Sequence, residues 1–312
     1  MILTTFLTLA ALAQAQPASH VVGEPQQIAT GHQFTEGPVW MPEGYLLFSD
    51  IPADHIYALN LWEADGSLKP SREGLRTFPA QHDPLSAEHK KIFRDPSGQS
   101  NGLTVDNEGR LIAAEHKNRR VSRTEKDGTI TVLAEKFEGK RFNSPNDVIV
   151  AKDGSLFFTD PPYGLEGGLE GPNADLDFCG VYALKEGGEP QLLARDFPGP
   201  NGLALSPDEK TLYVADSMAG HLRAFDVAPG PKLENGRIIA EMKVPDGIRV
   251  HPNGNIWATA DDGVRIIAPD GKLLETVKVP EPPANCAFGG PKNQSLFVTA
   301  RTSVYAYQVR AN

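Results

Sequence analysis

Cysteine is scarce in this sequence: Cys179 and Cys286 are the only two among 312 residues. Small secreted domains that depend on disulfides carry four or more cysteines, so a disulfide framework is excluded. The two cysteines fall in the third and sixth copies of the repeat described below, which places them on opposite sides of the expected ring. We therefore predict that they do not form a bridge with each other.

Positive charge is also in short supply. The formal net charge is −10 with a pI near 5.3, and the longest basic runs are the pairs Lys90-Lys91 and Arg119-Arg120. Such a surface repels a phosphodiester backbone, so binding to nucleic acid is not expected. The sequence has no glycine-rich phosphate-binding loop and no Gly-x-Ser-x-Gly motif. Nucleotide cofactors and serine esterase chemistry are disfavoured accordingly.

Long hydrophobic runs are missing as well. The N-terminus, MILTTFLTLAALAQAQPASH, has a short apolar segment followed by the small-x-small pattern Ala13-Gln14-Ala15. A bilayer span needs about 20 apolar residues, so no membrane span is predicted. The segment is typical of a secretory signal peptide over residues 1–15, and the protein is then periplasmic or secreted. Because no Lys or Arg precedes the apolar stretch, a frayed N-terminus is the alternative.

A repeat of polar anchor, alternating strand, turn and second strand accounts for most of the remaining chain. Its clearest copies are NGLTVDNEGRLIAAEH, NDVIVAKDGSLFFTDPP, NGLALSPDEKTLYVADS and DGIRVHPNGNIWATADD, with EGPVWMPEGYLLFSD and NCAFGGPKNQSLFVTAR as two further ones. The anchors that begin the copies are Glu36, Asn101, Asn146, Asn201, Asp246 and Asn285. They are 39 to 65 residues apart, which is typical of one four-stranded propeller blade per copy. The sequence therefore predicts an all-β, six-bladed β-propeller with four antiparallel strands per blade, as a single domain over residues 22–312.

The ring is expected to close through the two ends of the chain. The last copy stops after VYAYQVRAN, one strand short of a blade. The missing strand is found at the other end, where EPQQIATGHQFTEG from Glu24 mirrors EPQLLARDFPGPNG from Glu189. We predict that the N-terminal strand completes the last blade, which removes a sheet edge that would otherwise be open to aggregation.

The anchors are expected to meet around the central channel, because the first strand of every blade lines it. One Glu, one Asp and four Asn are a costly set to bury unless a counter-charge is present. A divalent cation supplies that charge. Ligands that are all hard oxygens favour Ca²⁺, with Mg²⁺, Mn²⁺ and, as the poorest match, Zn²⁺ as alternatives. Each anchor alone is typical of a turn at a strand start, but six in phase favour a metal hub, whether catalytic or purely structural.

Short motifs carry a resemblance to a known family. They are EGPVW, RFNSPNDV, FFTDPPYG, PNGLALSPD, YVADS and VPDGIRV. Together they resemble the gluconolactonase, regucalcin and senescence-marker-protein family of six-bladed propellers, from about Glu36 to Val304. The resemblance implies hydrolysis of a small-molecule sugar lactone with a divalent cation. The cation ligands that it implies are Glu36, Asn146, Asn201 and Asp246.

Attack of water on a lactone carbonyl needs a base. The resemblance points to Asp246, and a carboxylate suits the role because Ca²⁺ acidifies bound water much less than Zn²⁺ does. His116 lies fifteen residues past its anchor and is therefore expected near the channel mouth. It is the alternative base or a substrate contact, with a packing role as the remaining alternative. Asn101 and Asn285, at the equivalent anchors of the second and sixth blades, are assigned to substrate contacts or to supporting the ligands.

Two loops are longer than the repeat needs, TFPAQHDPLSAEHKKIFRDPSGQ and PPYGLEGGLEGPNADLDFCG. Long loops in compact domains are usually functional, and both are predicted to lie on one face as lids. Tyr163 in the second loop is a candidate substrate contact, with ordinary loop packing as the alternative. Arg141, five residues before the third anchor, is another candidate, with an exposed loop arginine as the alternative.

An acidic residue recurs at the end of five second strands. These residues are Asp50, Glu115, Asp160, Asp216 and Asp261. This regular placement predicts an architectural role, such as hydrogen bonding to neighbouring backbone. Asp160 and Asp216 are also candidates for holding the cation ligands in position.

The sequence thus predicts an exported, Ca²⁺-dependent hydrolase that opens sugar lactones such as glucono-1,5-lactone. The metal would polarise the carbonyl while a carboxylate activates water. Two alternatives stay open. One is hydrolysis of phosphotriesters or aryl esters on the same hub, and the other is a non-enzymatic binding propeller in which the calcium is structural.

Overall fold

The computed structural model describes residues 19–60, 90–230, 232–290 and 292–310. The predicted signal peptide and residues 61–89, which include the first part of the first long loop, lie outside these ranges. Within them, no helix has the length and apolar character needed to cross a membrane. A short 3₁₀ turn, Gly168–Glu170, is the only helical element of the described residues, so the all-β prediction is confirmed.

The strands follow the predicted repeat. In chain order they are β1 (Val21–Ala29), β2 (Thr35–Trp40), β3 (Leu46–Asp50), β4 (His55–Leu59), β5 (Lys90–Arg94), β6 (Ser100–Val105), β7 (Leu111–Glu115), β8 (Arg120–Thr124), β9 (Ile130–Ala134), β10 (Lys136–Phe137), β11 (Lys140–Arg141), β12 (Val148–Val150), β13 (Leu156–Asp160), β14 (Cys179–Leu184), β15 (Gln191–Phe197), β16 (Pro200–Leu205), β17 (Thr211–Asp216), β18 (His221–Ala228), β19 (Lys232–Glu241), β20 (Ile248–Val250), β21 (Ile256–Ala260), β22 (Gly263–Ile267), β23 (Leu273–Val277), β24 (Pro283–Gly289), β25 (Ser295–Ala300) and β26 (Ser303–Val309). In the described part of the chain they form six four-stranded antiparallel sheets and one separate hairpin, β10-β11. Blades 1 to 5 are β2–β5, β6–β9, β12–β15, β16–β19 and β20–β23, and blade 6 has the order β1-β26-β25-β24.

The first strand of the chain completes the last blade. β1 pairs antiparallel with β26, with Val21 opposite Val309 and Ala29 opposite Val304. This confirms the predicted closure between the two ends of the chain. The innermost strands β2, β6, β12, β16, β20 and β24 contact one another around the ring, each with a neighbour on both sides. No innermost strand is therefore left with an open flank.

The core lies between adjacent blades, where the apolar faces of neighbouring sheets meet. Between blades 2 and 3, Ile112 and Val121 of one sheet share a cluster with Phe158 and Tyr182 of the next. The rings of Phe158 and Tyr182 stack at a centroid distance of 5.1 Å, and both side chains are fully buried. Alternate residues of each strand thus face the next blade, as the period of two in the sequence requires.

Both cysteines are buried and unbridged. Cys179 begins β14 of blade 3, and Cys286 lies in β24 of blade 6, so the prediction that they do not pair is confirmed. Burial raises the pKa of both thiols to about 12, which keeps them protonated and unreactive at neutral pH.

Acidic side chains at the ends of second strands bind the backbone that leads into the innermost strand. The same contact recurs in three blades, from the Phe34 N–H to Asp50 at 3.0 Å, from the Ser144 N–H to Asp160 at 2.8 Å and from the Gly199 N–H to Asp216 at 3.1 Å. The predicted architectural role is confirmed in these blades. Glu115 instead binds Arg94 and Arg120, and Asp261 pairs with Lys243 at the surface.

Ile28 tests how much ring closure contributes to stability. Its side chain is 5% exposed and shares a cluster, from β1, with Phe48 of blade 1 and Phe297 of blade 6. We expect Ile28→Ala to lower the free energy of unfolding by about 2–5 kcal/mol, because it removes buried methyl groups and leaves a cavity. Val22→Ala, in the same strand at a position that is 42% exposed, is the matched control and should cost less than about 1 kcal/mol. Equal losses in urea unfolding would contradict this role for β1.

Candidate metal and active site

The six anchors lie at one end of the innermost strands. Four of them fall within the first three residues of β2, β6, β16 and β24, while Asn146 and Asp246 lie two residues before β12 and β20. Five anchors are buried, and Asp246 keeps part of its surface open. Equivalent positions in a ring of strands face the same axis, so the fold places at one level the residues that the repeat singled out.

Glycines directly after the anchors let neighbouring innermost strands approach closely. The Gly202 N–H donates to the Asp246 carbonyl at 3.1 Å, and a Cβ on Gly202 would collide with that oxygen. Gly37 has a φ of 51°, and a Cβ there would collide with the Asn101 carbonyl. A larger residue at either position would push two blades apart, so the close approach of the anchors requires glycine.

Hydroxyl side chains on second strands bind the innermost strand of the next blade. Ser49 donates to the Asn101 carbonyl at 2.9 Å, and Thr159 donates to the Asn201 carbonyl at 2.8 Å. Thr259 donates to the Ala284 carbonyl of blade 6, directly before the anchor Asn285, at 2.7 Å. These bonds fix the backbone that carries the anchors. They were not identified from the sequence, where the signal is a Ser or Thr at the same place in three copies.

Two carboxylates share the centre of the ring. Asn285 Nδ2 donates to Glu36 Oε2 at 3.0 Å, and the Gly37 N–H donates to the same oxygen. The Asn201 side chain lies close to Asp246 and partly offsets the rise in the pKa of that acid. Burial raises the pKa of Glu36 to about 7, and burial together with repulsion from Glu36 raises the pKa of Asp246 well above its usual range. The two acids therefore disfavour each other's charge.

The donor set at this centre fits a hard divalent cation. The carboxylates of Glu36 and Asp246 and the amide oxygens of Asn146 and Asn201 are the kinds of ligand that Ca²⁺ and Mg²⁺ prefer. In the part of the chain that the structure describes, no group of three or more His, Cys, Asp or Glu side chains is placed to hold a metal. An ion here would therefore depend on the amides as well as on the two acids.

Ser217 orients one of these amides. Its Oγ accepts the Asn201 Nδ2–H at 2.9 Å and donates to the Pro245 carbonyl. Because Pro245 directly precedes Asp246, one hydroxyl ties the amide of blade 4 to the segment that carries the acid of blade 5. In this orientation Oδ1 is the atom of Asn201 left for a ligand.

Comparison with known proteins identifies the family. A family model described as SMP-30/Gluconolactonase/LRE-like region matches residues 34–302. The chain belongs to this family. A gluconolactonase from Zymomonas mobilis is 33% identical over 297 residues, which cover 89% of this chain and 79% of that protein. The solved structure of a gluconolactonase from Xanthomonas campestris is 31% identical, with a TM-score of 0.78 over 97% of this chain and 94% of that one. A calcium-binding regucalcin from Agrobacterium tumefaciens shares the fold at 19% identity, with a TM-score of 0.69 over 94% of this chain and 96% of that one.

In this SMP-30/gluconolactonase family member, Asn101 and His116 are buried together. Asn101 Nδ2 lies 3.2 Å from His116 Nε2, and Asn101 Oδ1 is buried with no partner among the described residues. The second long loop covers the imidazole, since a Cβ on Gly164 would lie 2.8 Å from the His116 Cβ. Burial lowers the pKa of His116 to about 4, so the ring is neutral at pH 7.

Tyr163 lies within electrostatic reach of Asp246, whereas Arg141 makes no described contact with an anchor. The Tyr163 side chain is 38% exposed, and its hydroxyl donates to the Gly199 carbonyl at 3.0 Å, which places it above the entrance to blade 4. Arg141 is exposed on β11, where its Nη2 donates to the Asn118 carbonyl at 3.3 Å. Its described bonds do not reach an anchor, whereas Asn285 binds Glu36 directly.

Two charged residues of the centre were not identified from the sequence. Asp147 is fully buried, and Arg249 Nη1 lies 3.4 Å from its Oδ2. Burial raises the pKa of Asp147. The signal for both is weak, because Asp147 reads as a turn residue beside Asn146 and Arg249 as an ordinary strand residue.

His116 makes the stability of the protein depend on pH. Its pKa of about 4 in the folded state lies below the value near 6.5 of an unfolded histidine, so the unfolded chain takes up the proton first. The contribution is complete above pH 6.5 and is lost as the pH falls toward 4, by up to about 3 kcal/mol. We expect His116→Gln to flatten this part of the stability profile, measured by urea unfolding between pH 7 and pH 4. His251→Gln, in a turn of blade 5, is the control. Parallel profiles for the wild type and His116→Gln would contradict the prediction.

Proposed function

We propose that this protein hydrolyses sugar lactones such as glucono-1,5-lactone with the help of a divalent cation, with Ca²⁺ as the first candidate. The observation that carries the proposal is the pair of acids, Glu36 and Asp246, held among amides where the six blades meet. The relatives from Zymomonas mobilis and Xanthomonas campestris, both described as gluconolactonases, support the substrate class. The apolar N-terminus supports the periplasm or the exterior as the place of action.

Four residues would hold the cation: Glu36, Asn146, Asn201 and Asp246. When bound, the cation would polarise the lactone carbonyl and stabilise the negative charge that develops on its oxygen. The two acids match a charge of +2, and Ser217 holds the Asn201 amide in a fixed orientation. Mg²⁺ and Mn²⁺ can use the same oxygens, whereas Zn²⁺ suits them least because neither His nor Cys is among them.

Asp246 is the residue that we assign to accepting the proton of the attacking water. It is the one anchor of the six whose residue surface is partly open. A carboxylate within hydrogen-bonding reach of water is a suitable general base. His116 is the poorer candidate, because burial lowers its pKa to about 4 and its Nε2 already faces the Asn101 amide.

Asn101 offers a contact for a substrate hydroxyl. Its Oδ1 is buried without a partner among the described residues, and an unsatisfied buried acceptor is costly. A sugar lactone carries several hydroxyl donors, so a bound substrate would satisfy this oxygen. We propose Asn285, beside Glu36, and Tyr163, above blade 4, as further contacts, with Arg141 as an outer one.

Chelation and an Asp246→Asn variant test the reaction. Protein stripped with EDTA should lose hydrolysis of glucono-1,5-lactone in a pH-stat assay and regain it when CaCl₂ is added. Asp246→Asn should lower kcat by about 100-fold or more, because it removes the proton acceptor. Asp261→Asn, an exposed acid of the same blade, is the matched control and should retain wild-type activity.

The same assay separates the competing functions. A folded Asp246→Asn variant with normal turnover would contradict the base assignment, and full activity after chelation would contradict the need for a metal. A panel of phosphotriesters and aryl esters at fixed Ca²⁺ would reveal the alternative hydrolase. Calcium binding without turnover of any of these substrates would favour a binding propeller.

Glu36→Gln tests the ligand set without relying on turnover. The substitution keeps the shape of the side chain and removes one negative charge facing the cation. We therefore expect the Kd for Ca²⁺, measured by titration calorimetry, to rise by about tenfold or more. Glu43→Gln, at an exposed turn of the same blade, is the control. An unchanged Kd for Glu36→Gln would show that the ligand set is wrong.

A further inference from the structure

The centre of the ring contains a charged pair that the proposed reaction does not use. Asp147 follows the anchor Asn146 in blade 3, and its side chain is fully buried. Arg249 belongs to β20 in blade 5, and its Nη1 lies 3.4 Å from Asp147 Oδ2. Blade 4 lies between these two blades. The ion pair therefore crosses the channel instead of linking neighbouring strands.

Both members of the pair are held by further bonds. Asp147 Oδ1 accepts the Val148 N–H at 2.9 Å, and Arg249 Nη1 also donates to the Ile248 carbonyl at 2.7 Å. Gly102 makes room for the carboxylate, because a Cβ at that position would collide with Asp147 Oδ1. A buried pair fixed in this way differs from a solvent-exposed ion pair, whose net energy is small.

The pair faces the two acids of the proposed metal site. Asp147 lies near enough to Glu36 and Asp246 to repel both, and Arg249 attracts Glu36. The channel thus brings together three carboxylates, from blades 1, 3 and 5, and the guanidinium of Arg249, while Arg301, which is exposed, also attracts Asp246. The guanidinium neutralises one acid, and a divalent cation would neutralise the other two.

We propose that the Asp147–Arg249 pair sets the divalent-cation affinity of this centre by fixing its charge balance. Arg249 keeps Asp147 as its own partner, so that Asp147 does not act as a third acidic ligand. The inference rests on the metal site of the proposed function. It adds two positioning residues that act on the cation through charge and do not touch the reacting atoms.

Calcium titration calorimetry on the full chain is the test, using Arg249→Met, Asp147→Asn and the double variant. Arg249→Met leaves three acids facing the cation and should lower the Kd by about tenfold or more. Asp147→Asn leaves the guanidinium unopposed and should raise the Kd by a similar factor. The double variant restores the balance, and its Kd should lie within about threefold of the wild-type value.

A conservative variant and an exposed ion pair supply the controls. Arg249→Lys keeps the positive charge, so its Kd should stay within about threefold of the wild-type value even if its melting temperature falls. Arg237→Met and Asp226→Asn break an ion pair of 2.9 Å on the outer surface of blade 4 and should leave the Kd unchanged.

The outcomes separate this inference from the proposed function. Opposite shifts in the single variants that cancel in the double variant would support the charge balance. Shifts in one direction, or none, in a protein whose wild type binds calcium would overturn the inference alone. Undetectable calcium binding by the wild type would overturn the proposed metal site and the inference with it. If Arg249→Met does not fold, the comparison of Asp147→Asn with the double variant decides, because removal of Arg249 must then restore affinity.

Discussion

Glu36 and Asp246 are held close together at the centre of the ring, where their carboxylates repel each other. The fold keeps them in place against that repulsion. The constraint comes from the backbone, because glycines such as Gly202 allow the innermost strands to approach closely and hydroxyls such as that of Thr159 bind one blade to the next. The free energy that offsets the repulsion arises elsewhere, in the apolar contacts between blades. The stabilising contacts thus lie between the blades, and the repulsion is confined to the centre, where a bound cation would relieve it.

The fold could be predicted because the same pattern of polar anchor, strand, turn and strand recurs along the chain. A single Asn-Gly followed by a strand is ambiguous, but copies in phase along the chain leave few architectures that satisfy all of them. Closure was predictable for the same reason, since the segment after Glu24 resembles the one after Glu189. The hairpin β10-β11 could not be predicted, because strands of two residues are too short to carry a period.

The candidate site was predictable only where it coincides with the repeat. The anchors open every copy, so their common axis follows from the period. Asp147 and Arg249 each occur in one copy, and their pairing depends on how blades 3 and 5 face each other across the channel. The burial of His116 could not be predicted from the sequence either. Distance along the chain places it at the end of a strand, but only the course of the second long loop shows that the imidazole is covered and bound to Asn101.

The pairing of Val21 with Val309 has a consequence for the order in which the protein is made. The strand that leaves the ribosome early finds its partner only when synthesis is almost complete, so the ring cannot be sealed before then. Contacts of such long sequence separation form slowly. The native ring therefore forms only after the last strand of the chain has been synthesised.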